Sequence, residues 1–140
     1  MTPERILRSF AVGAASGLRT TSGPVSAFAS RGGNWTWVLR IAALGELIVD
    51  KLPSTPARTM PFGLAARAVA GGLAGASLAQ SAGERWICAA CAISGAMAAA
   101  FGGVAYRRET ARRSVPPLIA ALLEDGAAIA LAYAAVPRRL

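Results

Sequence analysis

The chain contains no histidine, and only 16% of its 140 residues are charged. Without histidine it lacks the commonest general base and a common ligand of haem and zinc. No phosphate-binding loop, dinucleotide fingerprint or G-x-S-x-G nucleophile motif is present. Cys88 and Cys91 form a C-x-x-C, but an apolar setting favours two small packing residues over a reactive thiolate. We therefore expect no cofactor and no metal, with catalysis by carboxylates alone left open.

Charge is scarce because 54% of the chain is apolar, a balance too hydrophobic for an ordinary soluble domain. The stretch from Trp86 to Tyr106 holds 21 residues without a charge. At about 1.5 Å per residue, it is long enough to cross a bilayer core about 30 Å thick. A chain of this length has room for one domain, so we expect a single transmembrane domain over residues 1–140.

Apolar segments of about the length of a spanning helix recur along the chain. They cover about residues 6–29, 34–51, 62–82, 86–106 and 114–136. The predicted fold is an all-α, polytopic transmembrane bundle of about five spans. Gly17, Gly23 and Pro24 fall within the first segment, so we expect a broken helix near residues 19–24. The break indicates either a polar cavity or a plain proline kink.

The net charge of +8 does not indicate nucleic-acid binding, because no basic stripe with aromatic side chains accompanies it. Five alternating spans place eight basic residues on one side and four on the other. The eight are Arg5, Arg8, Lys51, Arg58, Arg107, Arg108, Arg112 and Arg113, and the four are Arg31, Arg85, Arg138 and Arg139. The positive-inside rule then predicts a multi-pass protein of the inner (cytoplasmic) membrane with a cytoplasmic N-terminus. The bias is moderate, which leaves a dual-topology dimer open.

A weak internal repeat recurs at an offset of 78 residues. Residues 41–46 read IAALGE and residues 119–124 read IAALLE, so that Glu46 aligns with Glu124. Segments one and two would then run opposite to segments four and five. Inverted repeats of this kind are common in transporters, with the site near the midplane between the halves.

Several ionisable residues lie inside the apolar segments, where an unpaired charge costs about 2.5–3.5 kcal/mol at a helix centre. Glu124 and Asp125 lie near the middle of the last segment, and Arg19 lies comparably deep in the first. We therefore expect an ion pair between Arg19 and one of the two acids. Glu46 and Glu124 would form a central acidic pair that relays a proton or cation, or would brace the helices through arginine contacts. The long side chain of Arg67 is expected to extend toward the membrane–water interface and place its charge there.

Two pairs of glycines four residues apart, Gly13 with Gly17 and Gly71 with Gly75, predict closely packed helices. The face that carries the second pair could seat another helix of the same chain or a second copy. A bundle of this size has little interior for a pathway, so we expect a homodimer or higher oligomer.

The residues that carry a family resemblance are spread over nearly the whole chain. They are Gly17-Leu18-Arg19-Thr20, Glu46-x3-Asp50-Lys51-x-Pro53-x2-Pro56-x-Arg58, Pro61, Arg67 with Gly71 and Gly75, and Leu122-Leu123-Glu124-Asp125 with Ala128-Ile129. Together they resemble a bacterial family of small membrane proteins catalogued as a domain of unknown function, number 4126. The run from Glu46 to Arg58 is the most specific part. The resemblance implies a membrane location and no established activity.

The function that these features favour is a homo-oligomeric channel or transporter for an ion or small solute. The alternative is a structural or accessory subunit of a membrane complex. The candidate pathway residues are Arg19, Glu46, Asp50, Lys51, Arg58, Glu124 and Asp125. A transport site predicts a water-accessible cavity at Glu46 and Glu124, whereas a scaffold predicts that both are fully paired in a dry core. The expected partners are the lipid bilayer and further copies of the chain, with no nucleic acid.

Overall fold

The computed structural model describes residues 1–20, 22–29 and 60–135, and within them the chain is all-helical, as predicted. The helices are α1 (Pro3–Leu18), α2 (Ser22–Ala29), α3 (Pro61–Ser77), α4 (Ala82–Arg112) and α5 (Pro117–Ala135). Among them, α4 and α5 are long and apolar enough to cross a membrane. The predicted segment over residues 34–51 lies outside the described residues.

Prolines define several helix boundaries. Pro3, Pro61 and Pro117 each begin a helix, where the missing N–H has no intrahelical partner to lose. Helix α4 ends at Arg112, two residues before Ser114 adopts a left-handed φ of 57°. Val115 precedes two further prolines, which disfavour a helical backbone at their own and the preceding positions.

The predicted break in the first segment is a reversal rather than a kink. Helix α1 stops at Leu18, Arg19 is extended, and α2 begins at Ser22. The first turn of α2 lies back on α1, because a Cβ at Gly23 would meet the Ser16 hydroxyl and, at 2.7 Å, the carbonyl of Val12. Pro24 is the third residue of α2. In the first turn a backbone N–H has no partner within the helix, so the proline does not interrupt α2.

Helices α1 and α4 lie in backbone contact and run in the same direction. A Cβ at Gly13 would meet the carbonyl of Ala92, and one at Gly17 would meet the carbonyl of Ala96. From the side of α4, a Cβ at Gly95 would meet the carbonyl of Phe10 and, at 3.0 Å, the amide nitrogen of Ala14. Only glycine permits so close an approach at these positions.

Helices α3 and α5 run antiparallel to that pair. Along α3, Arg67 bonds to Gly17, while Gly71 and Gly75 lie against Ala96 and Ala92 respectively. Along α5, Asp125 contacts Arg19 near the end of α1, whereas Ala135 shares a core cluster with Val12. The glycines of α3 therefore seat a helix of the same chain, one of the two alternatives that the sequence leaves open.

These directions do not fit the predicted inverted repeat. The first and fourth segments, α1 and α4, run parallel, whereas the repeat requires them to run in opposite directions. The second of the five predicted spans lies outside the described residues, so the number of five spans stays a prediction.

The parallel arrangement also removes the charge bias behind the predicted orientation. Arg5 and Arg8 lie at the start of α1, and the arginines of 107–113 lie at the far end of the parallel helix α4. Residues counted together on one side therefore lie at opposite ends of the bundle. The count of eight against four, and the cytoplasmic N-terminus that it implied, no longer follow.

Small side chains form the core, and large apolar side chains lie outside it. The largest fully buried side chain is Val12, and alanine supplies most of the remaining buried apolar residues. By contrast, Phe62 is 86% exposed and Trp86 is 82% exposed. The other strongly exposed apolar residues include Leu7, Val69, Leu73, Leu118, Leu122, Leu123, Ile129 and Tyr133. The bundle therefore packs through small residues and presents an apolar exterior.

We expect Gly13→Ala to destabilise the bundle by about 1–3 kcal/mol, because the new methyl group overlaps the carbonyl of Ala92. Gly102→Ala is the matched control, since nothing lies within 4 Å of its Cβ position and alanine favours a helix. Unfolding of the purified protein by SDS in a mild detergent, followed by circular dichroism, measures both. Equal stability of the two variants would contradict the close α1–α4 contact.

Cysteine labelling tests the parallel direction of α1 and α4. In a Cys88→Ala, Cys91→Ala background, Thr2→Cys and Ser81→Cys should be labelled from the same side of a sealed vesicle by a membrane-impermeant maleimide. Ala111→Cys should show the opposite accessibility, because it lies at the far end of α4. Labelling of Thr2→Cys and Ala111→Cys from one side, with Ser81→Cys protected, would refute the arrangement.

Candidate functional site

Among the residues that the structure describes, five ionisable side chains gather around the end of α1 and form the ion-pair layer. They are Arg19, Arg67, Arg107, Glu124 and Asp125. The reversal after Leu18 makes room for them, since α1 stops here while α3, α4 and α5 continue past it. The layer thus combines residues from four different parts of the chain.

Arg19 directs two guanidinium nitrogens at one carboxylate oxygen of Asp125. Its Nε donates to Oδ1 over 2.7 Å, and its Nη2 lies 2.5 Å from the same oxygen. Both side chains are largely buried, and Asp125 is one of the two partners expected for Arg19. The remaining nitrogen, Nη1, is buried without a hydrogen-bond partner. An unsatisfied buried donor costs about 1–3 kcal/mol, so Nη1 is the atom at which a ligand oxygen would gain most.

Arg67 is buried in the bundle and does not reach toward an interface, which corrects the expectation for this residue. Its Nε donates to the carbonyl of Gly17 over 3.0 Å, and its Nη1 donates to the carbonyl of Gly63 over 3.3 Å. The last carbonyls of a helix lack intrahelical partners and carry partial negative charge. The cation therefore stabilises the end of α1 at the point where that helix stops.

Glu124 lies deepest in the layer, with a side chain only 2% exposed. Its Oε2 accepts a hydrogen bond from Nε of Arg107 over 2.8 Å. Its Oε1 lies 3.5 Å from the Cβ position of Gly103, so the missing side chain there leaves room for the carboxylate. Arg107 is about half exposed and connects the buried acid to the outside of the bundle.

The polar backbone at the break is satisfied by a nearby hydroxyl. The hydroxyl of Ser22 lies 2.6 Å from the carbonyl oxygen of Ala15 and 2.8 Å from that of Arg19. The amide of Ser22 also donates to the carbonyl of Arg19 over 3.1 Å. These bonds hold the reversal in a low-dielectric interior, where unpaired backbone groups are costly.

The ion-pair layer lies about two fifths of the way along α3 and α5. Arg67 is the seventh residue of α3 and Glu124 is the eighth of α5, each roughly 9–11 Å from the helix start. The expectation of a site near the midplane of the membrane stays an expectation. Within the described residues, no three His, Cys, Asp or Glu side chains are grouped so as to hold a metal ion.

A second ionic cluster lies at the opposite end of the bundle, around Glu84. Arg5 lies 2.6 Å from its Oε2, and the N-terminal ammonium lies 3.1 Å from its Oε1. That ammonium, with the backbone N–H of Gln80 and with Arg5, holds the pKa of Glu84 below its ordinary value, although desolvation opposes the shift. The resulting stabilisation is present above the unfolded carboxyl pKa and is lost as the pH falls through the lower folded value.

The other predicted pathway residues, Glu46, Asp50, Lys51 and Arg58, lie outside the described residues. Sequence reasoning missed Arg67 and Arg107 as members of the layer. Arg67, Gly71 and Gly75 are spaced four apart, which places the arginine on the same packing face and could have predicted its burial. Nothing in the sequence pairs Arg107 with Glu124, because that contact joins two helices across a turn.

The fold and the layer define a class of protein: an all-helical bundle packed through small residues, with two helices of membrane-spanning length and composition. Protein-family models, curated proteins and solved structures give no match to this chain. The resemblance to the domain of unknown function therefore stays an expectation.

A double-mutant cycle tests the contact between Arg19 and Asp125. We expect Arg19→Gln and Asp125→Asn each to destabilise the protein, and the pair to show a coupling energy of about 1–3 kcal/mol, since each single change leaves a buried partner unmatched. The matched cycle uses Arg113→Gln and Glu109→Gln on an exposed pair, where coupling of about 0–1 kcal/mol is expected. SDS unfolding measures both, and equal coupling in the two cycles would contradict the buried geometry.

Proposed function

We propose that the chain is a multi-pass protein of the inner membrane that moves an ion or small solute through a homo-oligomeric assembly. The observation that carries this proposal is a layer of ionisable groups inside a bundle whose exterior is apolar. Each part of that observation has its own physical argument.

The exterior supports a lipid environment. A soluble protein that exposed phenylalanine, tryptophan and leucine side chains on four helices, α1, α3, α4 and α5, would present a large aggregation-prone surface. In a bilayer the same side chains face hydrocarbon, and helices associate through the small residues that this core contains. Arg108, Arg112 and Arg113 follow the charge-free run of α4 and would lie in the headgroup region.

The ion-pair layer supports a transport site. Ionisable residues inside membrane helices are costly and commonly mark ion or substrate pathways. Asp125 is about a quarter exposed, so one edge of the layer is open at the surface of the bundle. The Nη1 of Arg19 has no hydrogen-bond partner among the protein atoms, so it can donate to a water or solute that reaches the layer.

The second candidate is a structural or accessory subunit, and a specific observation favours it. Glu124 and Asp125 are both paired with arginine, and Glu124 is almost completely buried. Paired acids in a dry core are what a bracing role predicts. The two candidates therefore differ in whether the purified chain moves any solute.

Flux through reconstituted liposomes decides between them. The transport proposal predicts measurable flux of at least one of protons, potassium and chloride in the parent protein. It predicts loss of that flux in Glu124→Gln and Glu46→Gln, because each removes the charge of a carboxylate predicted to line the pathway. Glu109→Gln is the matched control on an exposed glutamate and should retain the parent flux.

Folding of each variant is verified by size-exclusion chromatography and circular dichroism before flux is measured. Absence of flux in the parent for all three ions, or unchanged flux in both Glu124→Gln and Glu46→Gln, would overturn transport. Absence of flux together with loss of stability in Glu124→Gln would support the structural role.

A further inference from the structure

One face of α4 stays exposed over about five turns and ends in two arginines. Its members follow one another at alternating intervals of four and three residues, which places them in line on the helix. Phe101, the largest apolar side chain among them, is 55% exposed. We call this set the outer face of α4, and its members are Ser94, Ala98, Phe101, Ala105, Arg108 and Arg112.

The two arginines of the outer face are not neutralised by neighbouring acids. Among the described residues, no carboxylate forms an ion pair with Arg108. Glu109 is bonded to Arg113 over 2.8 Å, and the Nη1 of Arg112 lies 3.9 Å from it, too far for a hydrogen bond. Arg108 and Arg112 are four residues apart, so two like charges lie side by side on the helix, which is unfavourable unless an anion lies between them.

We propose that the outer face of α4 binds one anionic phospholipid, with its phosphate between Arg108 and Arg112. Guanidinium groups donate paired hydrogen bonds to phosphate oxygens, and a shared anion removes the repulsion between the two cations. An acyl chain of the lipid then lies along the apolar part of the face, from Ala105 to Ala98. The inference rests on the membrane location in the proposed function and does not require transport.

The apolar part of the outer face has the depth of one leaflet. Arg108 and Ala98 are ten residues apart, which is about 15 Å along the helix. Half of a hydrocarbon core about 30 Å thick is also about 15 Å, so a lipid whose phosphate meets Arg108 extends its chain to the level of Ala98. The ring of Phe101 offers the large apolar contact within that distance. A free phosphate would contact the arginines alone and leave this apolar surface unused.

Charge and side-chain size argue against a second copy of the chain as the occupant. Two copies packed through this face in a parallel, symmetric dimer would bring four exposed guanidinium groups together at one end. The ring of Phe101 would also hold the two backbones apart, in contrast to the close contact at Gly13 inside the bundle. An anionic lipid supplies the opposite charge and adapts its chain to the ring.

Native mass spectrometry of the detergent-purified protein, titrated with dioleoyl phosphatidylglycerol or dioleoyl phosphatidylcholine, measures the preference for an anionic headgroup. We expect the parent to bind phosphatidylglycerol about 25-fold more tightly, since each arginine near an anionic headgroup contributes about fivefold. Arg108→Gln with Arg112→Gln should remove most of that preference. Arg8→Gln with Arg85→Gln is the matched control, because it removes two charges at the opposite end of the bundle, and it should keep the preference.

Two further comparisons test the two halves of the site. Arg108→Lys with Arg112→Lys keeps both charges and should retain most of the preference for phosphatidylglycerol. Phe101→Ala should weaken the binding of phosphatidylglycerol several-fold, because it removes the apolar contact with the acyl chain. Phe62→Ala is its control, since Phe62 is 86% exposed on α3 and lies outside the outer face.

Three results would overturn the proposal. The first is an equal preference for phosphatidylglycerol in the Arg108/Arg112 glutamine variant and in its control. The second is displacement of the lipid by excess inorganic phosphate together with equal binding in Phe101→Ala and Phe62→Ala, which would show a bare anion site. The third is a parent oligomer that carries no phosphatidylglycerol and dissociates in Phe101→Ala, which would show a second copy on this face. Flux of the parent and its loss in Glu124→Gln are measured separately, so failure of the lipid site and failure of transport are distinguishable.

Discussion

The backbone contact between α1 and α4 is the constraint on which the rest of this structure depends. At Gly13, Gly17 and Gly95 the two helices approach so closely that a single methyl group would overlap a backbone atom of the other helix. This contact requires small residues wherever the two backbones approach most closely. Because α1 also touches α3 and α5, it is enclosed on nearly all sides from Val12 onward.

That enclosure determines where the other residue types lie. A core of alanine, glycine and serine has no space for leucine or phenylalanine, so the large apolar side chains lie on the outside, where lipid would cover them. The end of α1 is then buried together with the carbonyls that cannot be paired within the helix. Arg67 bonds to one of those carbonyls, and Arg19 and Asp125 pair beside it. The ion-pair layer follows from stopping a buried helix inside the bundle.

The sequence predicts the helices better than their arrangement. Hydropathy and prolines locate α3, α4 and α5 closely, and the polar run around Pro24 locates the break. Hydropathy carries no information about the direction of a helix, however, so it did not predict that α1 and α4 run parallel. The count of basic residues on each side of the membrane depended on those directions and no longer follows. Glycine spacing identifies packing faces without naming their partners. The choice of Asp125 over Glu124 for Arg19 depends on helix rotation, because adjacent residues point about 100° apart.

The central claim is that this bundle has its apolar exterior in lipid and its charges inside. The most direct measurement places spin labels at Leu73 and Ile129, which are exposed and lie between the two ionic clusters, in protein reconstituted into bilayers. Labels at Leu73 and Ile129 should show strong collisional relaxation by oxygen and little by a water-soluble nickel chelate. A label at Arg112 should show the reverse. Relaxation by the nickel chelate at Leu73 and Ile129 as strong as at Arg112 would contradict it.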